Sequence, residues 1–451
     1  MRSSTPTRPS RPAKAPATAV VAAACRRTRA AVEKSGLYSL SRLRQVAGVR
    51  VGRVLGFFVI AVLAACSPKP TPEDPETFLS RHWQEPIPAQ GEVPAGFTAL
   101  DASLAPESCG QCHAAQWREW QGSLHARAVG PGLLWQLQVM DQAAANRCLR
   151  CHAPLAEQKA LLAQQMNWPA RPATAPPSYV PANLAHEGLV CAACHVRGHR
   201  RFGPVPGENR PLKGSTGHGG FEAAPAFSDS RFCAHCHQFP ESGPRTAGKL
   251  HEDTYAQWKV SPQAATQTCQ SCHMPNRQHL WRGIHDAGTT RGAIDVALAI
   301  ESRQGKRVAV ATVRNVGAGH HFPTYMVPKV ELRFAAIDGS GAAAAIGTRV
   351  IGWTVDTDLK HEIADTRIPA GGTARFEVDV PAGAQGELEL VVVVKPGEHY
   401  ERTFTQSLQR AGQWPAAALP PLREALARVR SAEYELLRLR RPLAAAARIA
   451  N

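Results

Sequence analysis

The sequence predicts an α + β protein: a helical, loop-rich domain, then a β-sandwich, then a C-terminal helix. Three observations predict it. Five C-x-x-C-H motifs fall between Cys109 and His273. After Ala293 the chain turns to short β-rich runs separated by Gly, Pro and Asn turns. The stretch 419–441 carries an apolar stripe at helical spacing, with Pro420 and Pro421 at its start and Leu422, Leu426, Val429, Leu436 and Leu437 along it. At 451 residues there is room for two or three domains. The expected boundaries are a disordered extension and signal segment over 1–65, a linker over 66–104, the motif-bearing domain over 105–290, the sandwich over 293–405 and the helix over 414–445.

The formal charge of +16 is unevenly spread, because residues 1–65 hold twelve Lys or Arg against the single acid Glu33. Most of the positive charge therefore sits in a leader expected to be removed, which argues against a nucleic-acid partner. Residues 54–65, VLGFFVIAVLAA, follow Arg50 and Arg53. A bilayer span needs about 20 apolar residues, so this run has the length of a signal-peptide core instead. It ends in LAAC, Leu63 to Cys66, followed by the Pro-rich SPKPTPEDPET. That junction resembles the lipobox of bacterial lipoproteins, in which the Cys is acylated and becomes the mature N-terminus. The resemblance implies lipidation at Cys66 and attachment to a membrane. Ser67 resembles an outer-membrane sorting signal, so the expected location is an exported lipoprotein of the periplasm or cell surface. The competing reading is a plain cleaved signal peptide with an incidental Cys.

Of twelve cysteines, Cys25 and Cys66 lie in the leader. The other ten form Cys109/Cys112/His113, Cys148/Cys151/His152, Cys191/Cys194/His195, Cys233/Cys236/His237 and Cys269/Cys272/His273, with none left over. Disulfide bonding would not require a His after each second Cys. A tetrahedral zinc site is poorly served by His directly after Cys. Covalent haem attachment accounts for all fifteen residues, with two thiols adding to each haem and the adjacent His ligating the iron. The expected cofactors are five c-type haems, stacked in the helical domain. Such attachment takes place outside the cytoplasm, in agreement with the leader.

A haem iron takes two axial ligands, and the second decides between electron transfer and chemistry. A helix through 112–126 would place His113, Trp117 and Trp120 on one face, with both indoles on the haem that His113 holds. His125 would then lie about 120° off that face, placed to ligate a different iron. A surface histidine at the helix end is the competing reading. The stretch CGQCHAAQWREWQGSLHA (109–126) resembles the first motif of the cytochrome c554-like multihaem proteins. HEGLVCAACH (186–195) and TYAQWKVSP…TCQSCHMP (254–275) resemble later motifs of that group, and the resemblance covers roughly 105–290. It implies close haem pairs in which a His from one segment caps another segment's iron, with His125 as such a distal ligand. Further distal candidates are His285, with His279 competing, then His186, His251 and His218, each with a surface role as the alternative. His199, in the basic loop RGHRRF, is expected to be solvated. His235 lies inside its own motif and points away from that iron.

The runs IDVALAIE, RVAVATVRNV, KVELRFAAID, RVIGWTV, ARFEVDV and ELELVVVVK suggest the β-sandwich. Between the second and third lies NVGAGHHFPTY (315–325). Its G-H-x-F-P-T stretch resembles a motif in C-terminal β-domains of multihaem cytochromes, which implies that His320 caps a haem of the preceding domain. The alternative is a loop histidine that fixes the turn. Tyr325 stands where that group usually has Gly. The leading expectation for function is electron transfer through five haems, with other redox proteins or quinol-linked donors as partners. The alternatives are a reductase or oxidase acting on a small nitrogen or sulfur compound at a haem lacking a distal ligand, and a subunit of a cytochrome filament.

Overall fold

Residues i and i+3 share one face of a helix, so a C-x-x-C-H motif needs at least one helical turn to aim both thiols the same way. The chain supplies that turn repeatedly. Cys191–His195 and Cys269–His273 are short helices of their own. The second and fourth motifs close longer helices, Gln142–His152 and Arg231–His237. The first begins in the helix Pro106–Gly110, Cys112 lies in the turn that follows, and His113 is the N-cap of the helix Ala114–Gln121. Local capping fixes where the later turns start. The Asp141 carboxylate accepts from Ala144 N at 2.7 Å, and Thr268 Oγ1 accepts from Ser271 N at 3.2 Å.

The computed structural model describes residues 73–206 and 220–443, all within the compact unit Glu73–Asn451. The signal segment, Cys66 and His218 lie outside the described residues. Among those described, no helix is long and apolar enough to cross a membrane.

In the motif-bearing part the apolar core is built from Leu104, Trp120, Leu133, Leu137, Leu149, Leu155, Leu162, Leu184 and Val190. The stretch expected as a linker contributes to the fold as well. Pro75–His82 is a helix capped by Asp74, and it buries Phe78 and His82. Phe78 packs with Phe202 and Ala226. The charged and Pro-rich surroundings of Phe78, Trp83 and Ile87 concealed three core residues spaced too widely to read as an element. Short strands tie the loops of this part. β1 (Val196–Arg197) and β2 (Arg200–Gly203) pair antiparallel, β2 and β3 (Glu222–Ala223) pair parallel, and β4 (Arg245–Thr246) and β5 (Lys249–Leu250) form a small hairpin.

From Ile294 the chain is mainly sheet. The strands are β6 (Ile294–Arg303), β7 (Lys306–Asn315), β8 (Lys329–Ile337), β9 (Ala343–Ile351), β10 (Trp353–Val355), β11 (Glu362–Asp365), β12 (Thr373–Asp379), β13 (Glu387–Lys395) and β14 (Tyr434–Pro442). One sheet has the order β12-β7-β6 and the other β14-β13-β8-β9, and both are antiparallel. Leu298, Ala311 and Phe376 from the first sheet share one core with Phe334, Leu390 and Val392 from the second. Gln304 and Gly305, both at positive φ, make the two-residue turn between β6 and β7 that suits strand twist.

The C-terminal region departs from the single helix expected over 414–445. The helix runs Leu419–Ser431 and buries Leu422, Ala425 and Leu426 against Trp135 and Phe404. β14 follows and pairs with β13 from Tyr434 to Pro442. The reason lies in the pattern: after Ser431, Leu437 and Leu439 alternate with Arg438 and Arg440, which is a period of two. The two arginines bracket the Glu389 carboxylate at 2.7 and 2.8 Å. The β part therefore extends past 405, and it includes a further helix, Glu398–Gln409.

The two parts meet through charge. Lys249 Nζ on the small hairpin lies 2.6 Å from both Glu362 Oε2 and Asp365 Oδ2. Thr246 Oγ1 donates to Leu359 O at 2.6 Å. Leu390 stands opposite Phe334 and Leu439 in the core of the larger sheet. Leu390→Ala should lower stability by about 2–5 kcal/mol through lost contact and a residual cavity, as read by chemical denaturation followed by circular dichroism.

Candidate functional site

The sequence places ten thiols and five histidines in five turns, and the fold brings the turns together. All ten described cysteines are free. The turns adjoin: the helix that begins motif one packs on that of motif three, the helix of motif two packs on that of motif four, and Cys269 N of motif five donates to Ser230 Oγ at the start of the motif-four helix at 3.0 Å. Motifs one and three, two and four, and four and five are thus direct neighbours.

Cys112 departs from the helical setting expected for it. The sequence reading runs one helix through 112–126, but Cys112 sits in a turn outside any helix and is exposed, whereas Cys109 is half-buried. The physical reason is a break in the backbone at His113, whose φ of -111° and ψ of 47° are not helical. Cys112 N and His113 N both donate to Cys109 O, at 3.2 and 2.9 Å, and close the turn before the next helix starts. Cys272 of the fifth motif is likewise exposed, with its thiol 3.7 Å from Gln267 Oε1. The first and fifth motifs therefore each pair one half-buried thiol with one open to solvent.

The histidines are oriented by backbone carbonyls. His152 Nδ1 donates to Ala128 O at 2.7 Å, His195 Nδ1 to Phe202 O at 2.8 Å and His273 Nδ1 to Arg282 O at 2.7 Å. Two histidines outside the motifs do the same, His279 to Arg277 O at 3.0 Å and His320 to His321 O at 2.8 Å. A carbonyl only accepts, so Nδ1 carries the proton and Nε2 keeps its lone pair for a metal.

Three motif histidines face a distant one. His237 and His125 have ring centres 6.4 Å apart, His195 and His279 6.2 Å, and His273 and His320 6.4 Å with the rings only 11° from parallel. A metal held between two imidazoles at about 2 Å per bond, with each ring centre about 1.1 Å beyond its nitrogen, sets the centres roughly 6 Å apart. Burial pushes His125 down to about 3, and His195 and His320 to about 4. They are therefore neutral at ordinary pH, in the form that binds metal. Among the described residues no group of three or more His, Cys, Asp or Glu could hold a metal ion by itself. Opposed pairs suit a haem, whose macrocycle supplies the four equatorial nitrogens. His152 is exposed, and desolvation lowers its pKa. The residues present therefore fit haem. The exposed thiols of Cys112 and Cys272 are open to covalent attachment.

The route by which His125 reaches His237 differs from the helical extrapolation. The helix stops at Gln121 and a turn follows, in which Ser123 Oγ donates to Trp120 O and accepts from Ala126 N. Trp117 packs on Gly110, where a Cβ would come within 2.8 Å of the indole. Trp120, three residues on in the same helix, donates to Leu189 O at 2.8 Å, and its ring is part of the apolar core against which Trp117 packs. Leu189 N returns a hydrogen bond to His125 O at 2.8 Å. Trp281 presses edge-on against the His125 ring at 4.5 Å.

The other candidates have different settings. His285 is exposed, and desolvation nonetheless lowers its pKa. His186 is exposed at the end of a 3-10 turn. His251 Nε2 lies 2.9 Å from Thr246 Oγ1, whose own proton goes to Leu359 O. That nitrogen therefore donates, and the ring sits 6.2 Å from Trp353, in the seam between the two parts. His199 is buried rather than solvated, against Tyr179 and Phe97; Arg200 beside it is exposed and the histidine is not. His235 stacks on Trp83 at 4.6 Å.

Several contributors carry no chemical signature in sequence. His82 is buried, and its Nε2 donates to Cys194 O at 2.9 Å, tying the N-terminal helix to the third motif. Gln257 is buried beside the loop that bears His320. Gly188, at φ +63°, passes so close to His125 O that a Cβ would lie 2.3 Å from it. Only its neighbourhood, HEGLVC, hinted at the role. Gly188→Ala should cost about 1–3 kcal/mol through backbone strain and the clash, as a lower thermal midpoint, and should loosen the His125 segment.

No family model matches the chain, and no curated protein matches it. Among solved structures the fold is similar to that of a penta-heme cytochrome c552 from Thermochromatium tepidum. The likeness has a TM-score of 0.52 at 19% identity and covers 76% of this chain and all of that one. What the two share at that identity is an architecture.

Proposed function

We propose that the chain is a multihaem c-type cytochrome that carries electrons through a row of five covalently bound haems. The observation that carries this reading is the set of three opposed imidazole pairs, each joining a C-x-x-C-H histidine to a histidine from a distant segment. The fold likeness to a penta-heme cytochrome supports it. Each haem, when bound, supplies an iron that alternates between ferric and ferrous. The chain's own residues do the rest. Cys109 with Cys112, Cys148 with Cys151, Cys191 with Cys194, Cys233 with Cys236 and Cys269 with Cys272 tether the groups. His113, His152, His195, His237 and His273 would each hold an iron, and His125, His279 and His320 would supply a second imidazole at three of them. Two imidazoles per iron leave no position for a substrate, which favours electron transfer over chemistry at those centres. The adjoining turns would set neighbouring groups close to one another. In this reading Cys66 bears a lipid that keeps the protein at a membrane, and the partners are other redox proteins.

The exported, mature protein should exceed the mass of its polypeptide by that of five haems. Electron paramagnetic resonance of the oxidised protein should show mostly low-spin ferric iron. His125→Ala should keep all five haems and turn one of them high-spin and able to bind carbon monoxide. A colourless chain of bare polypeptide mass would sink the proposal. An unchanged spectrum in His125→Ala would remove the assigned pair.

A further inference from the structure

His320 belongs to the β part, yet its ring faces His273 at the end of the motif-bearing part, almost parallel to it. Something must hold the loop 315–325 to that tolerance across the seam. Within the loop, Asn315 Nδ2 donates to His320 O at 2.8 Å, and Ala318 N donates to Asn315 Oδ1 at 3.1 Å. These bonds shape the loop without fixing it to the other part. The link across is Gln257, on the helix Thr254–Lys259. Its Oε1 accepts from His321 N at 3.1 Å and from Thr324 Oγ1 at 3.0 Å, and its Nε2 donates to Thr324 O at 3.1 Å. Thr254 Oγ1 lies 2.7 Å from Thr324 Oγ1. Arg367 Nη1 adds a bond to Thr324 O at 2.8 Å. Gly319 lets the loop lie flat on this helix and the turn after it, since a Cβ there would come within 3.2 Å of the Trp258 ring and 3.1 Å of Gln263 Cβ. Gln257 is buried, so water cannot replace these bonds without a rearrangement.

We propose that Gln257 is a positioning residue: its amide grips the backbone on both sides of the cis Phe322–Pro323 turn and seats His320 as the second axial ligand opposite His273. The proposal rests on the haem reading above. It makes ligation of the last haem depend on how the β part is docked. A grip by one side chain on two backbone sites is geometric, so removing it should free the ligand while leaving the haem tethered by Cys269 and Cys272.

The test uses the full-length, haem-loaded protein. Gln257→Leu keeps the bulk and removes all three bonds. It should retain five haems by mass, show a new high-spin ferric signal of up to one haem in five, bind carbon monoxide at one site, and return to low-spin when free imidazole is added. Thr324→Val removes one hydroxyl from the grip and serves if Gln257→Leu does not accumulate; it should show the same change at smaller amplitude. His320→Ala is the reference and should show the full high-spin signal. If Gln257→Leu stays wholly low-spin while His320→Ala turns high-spin, the proposal is overturned. If His320→Ala is also unchanged, the pair His273–His320 is wrong and the proposal falls with it. A parent protein without covalent haem overturns the function itself.

Discussion

A backbone carbonyl accepts hydrogen bonds and never donates them, and the site depends on that one-sidedness. Wherever a loop carbonyl takes the Nδ1 proton of a histidine, the opposite nitrogen is left with its lone pair and a fixed direction. The acceptors are Ala128, Phe202, Arg282, Arg277 and His321; three lie in turns or irregular chain, Phe202 lies on β2 and Arg277 ends a 3-10 turn. Helical carbonyls are mostly spent within their own helix. The loop-rich character of the motif-bearing part is therefore a requirement of the site. Short helices present the thiols, and the loops between them orient the rings.

Fold class and cofactor chemistry were readable because each leaves a local pattern. Ten cysteines at three-residue spacing, each pair followed by His, can be counted without any structure, and so can the alternating runs that became β6, β7, β8, β12 and β13. The helix drawn through 112–126 fails at both ends. It starts only after Cys112 and His113, where the backbone breaks, and it stops at Gln121. The helical reckoning that turns His125 toward another motif therefore does not apply, while the resemblance that implies a distal role for it does not depend on that helix. The ring reaches His237 through a turn pinned by Leu189 and Gly188. Which distal histidine meets which motif was out of reach, because pairs such as His195–His279 and His273–His320 are set by packing between segments far apart in sequence. His82 and Gln257 were missed for the same reason. Their side chains act on backbone atoms, and backbone partners leave no trace in residue identity. The C-terminal strand was hidden by its own leucines, which satisfy a helical stripe until the arginines between them are counted.

The β part is more than an appendage. Lys249 with Glu362 and Asp365, Thr246 with Leu359, and the loop at 315–325 make three separate attachments to the motif-bearing part. The first is electrostatic, and burial works against it. The carboxyl of Asp365 still titrates below its ordinary value: desolvation by burial raises it, but hydrogen bonds from Arg367 and Lys249 together outweigh that cost. Its stabilising effect is present above the usual carboxylate range and declines as pH falls below it. The helices Glu398–Gln409 and Leu419–Ser431 add an apolar contact through Phe404, Leu422 and Trp135. Polar and apolar contacts thus join the two parts at different points.

The adjacency of the motifs has a consequence for assembly. The helix of motif four packs on that of motif two, and Ser230 at its start accepts from Cys269 N of motif five at 3.0 Å. The segment Arg231–His237 is therefore shared ground, and a change that displaces it would disturb three turns at once.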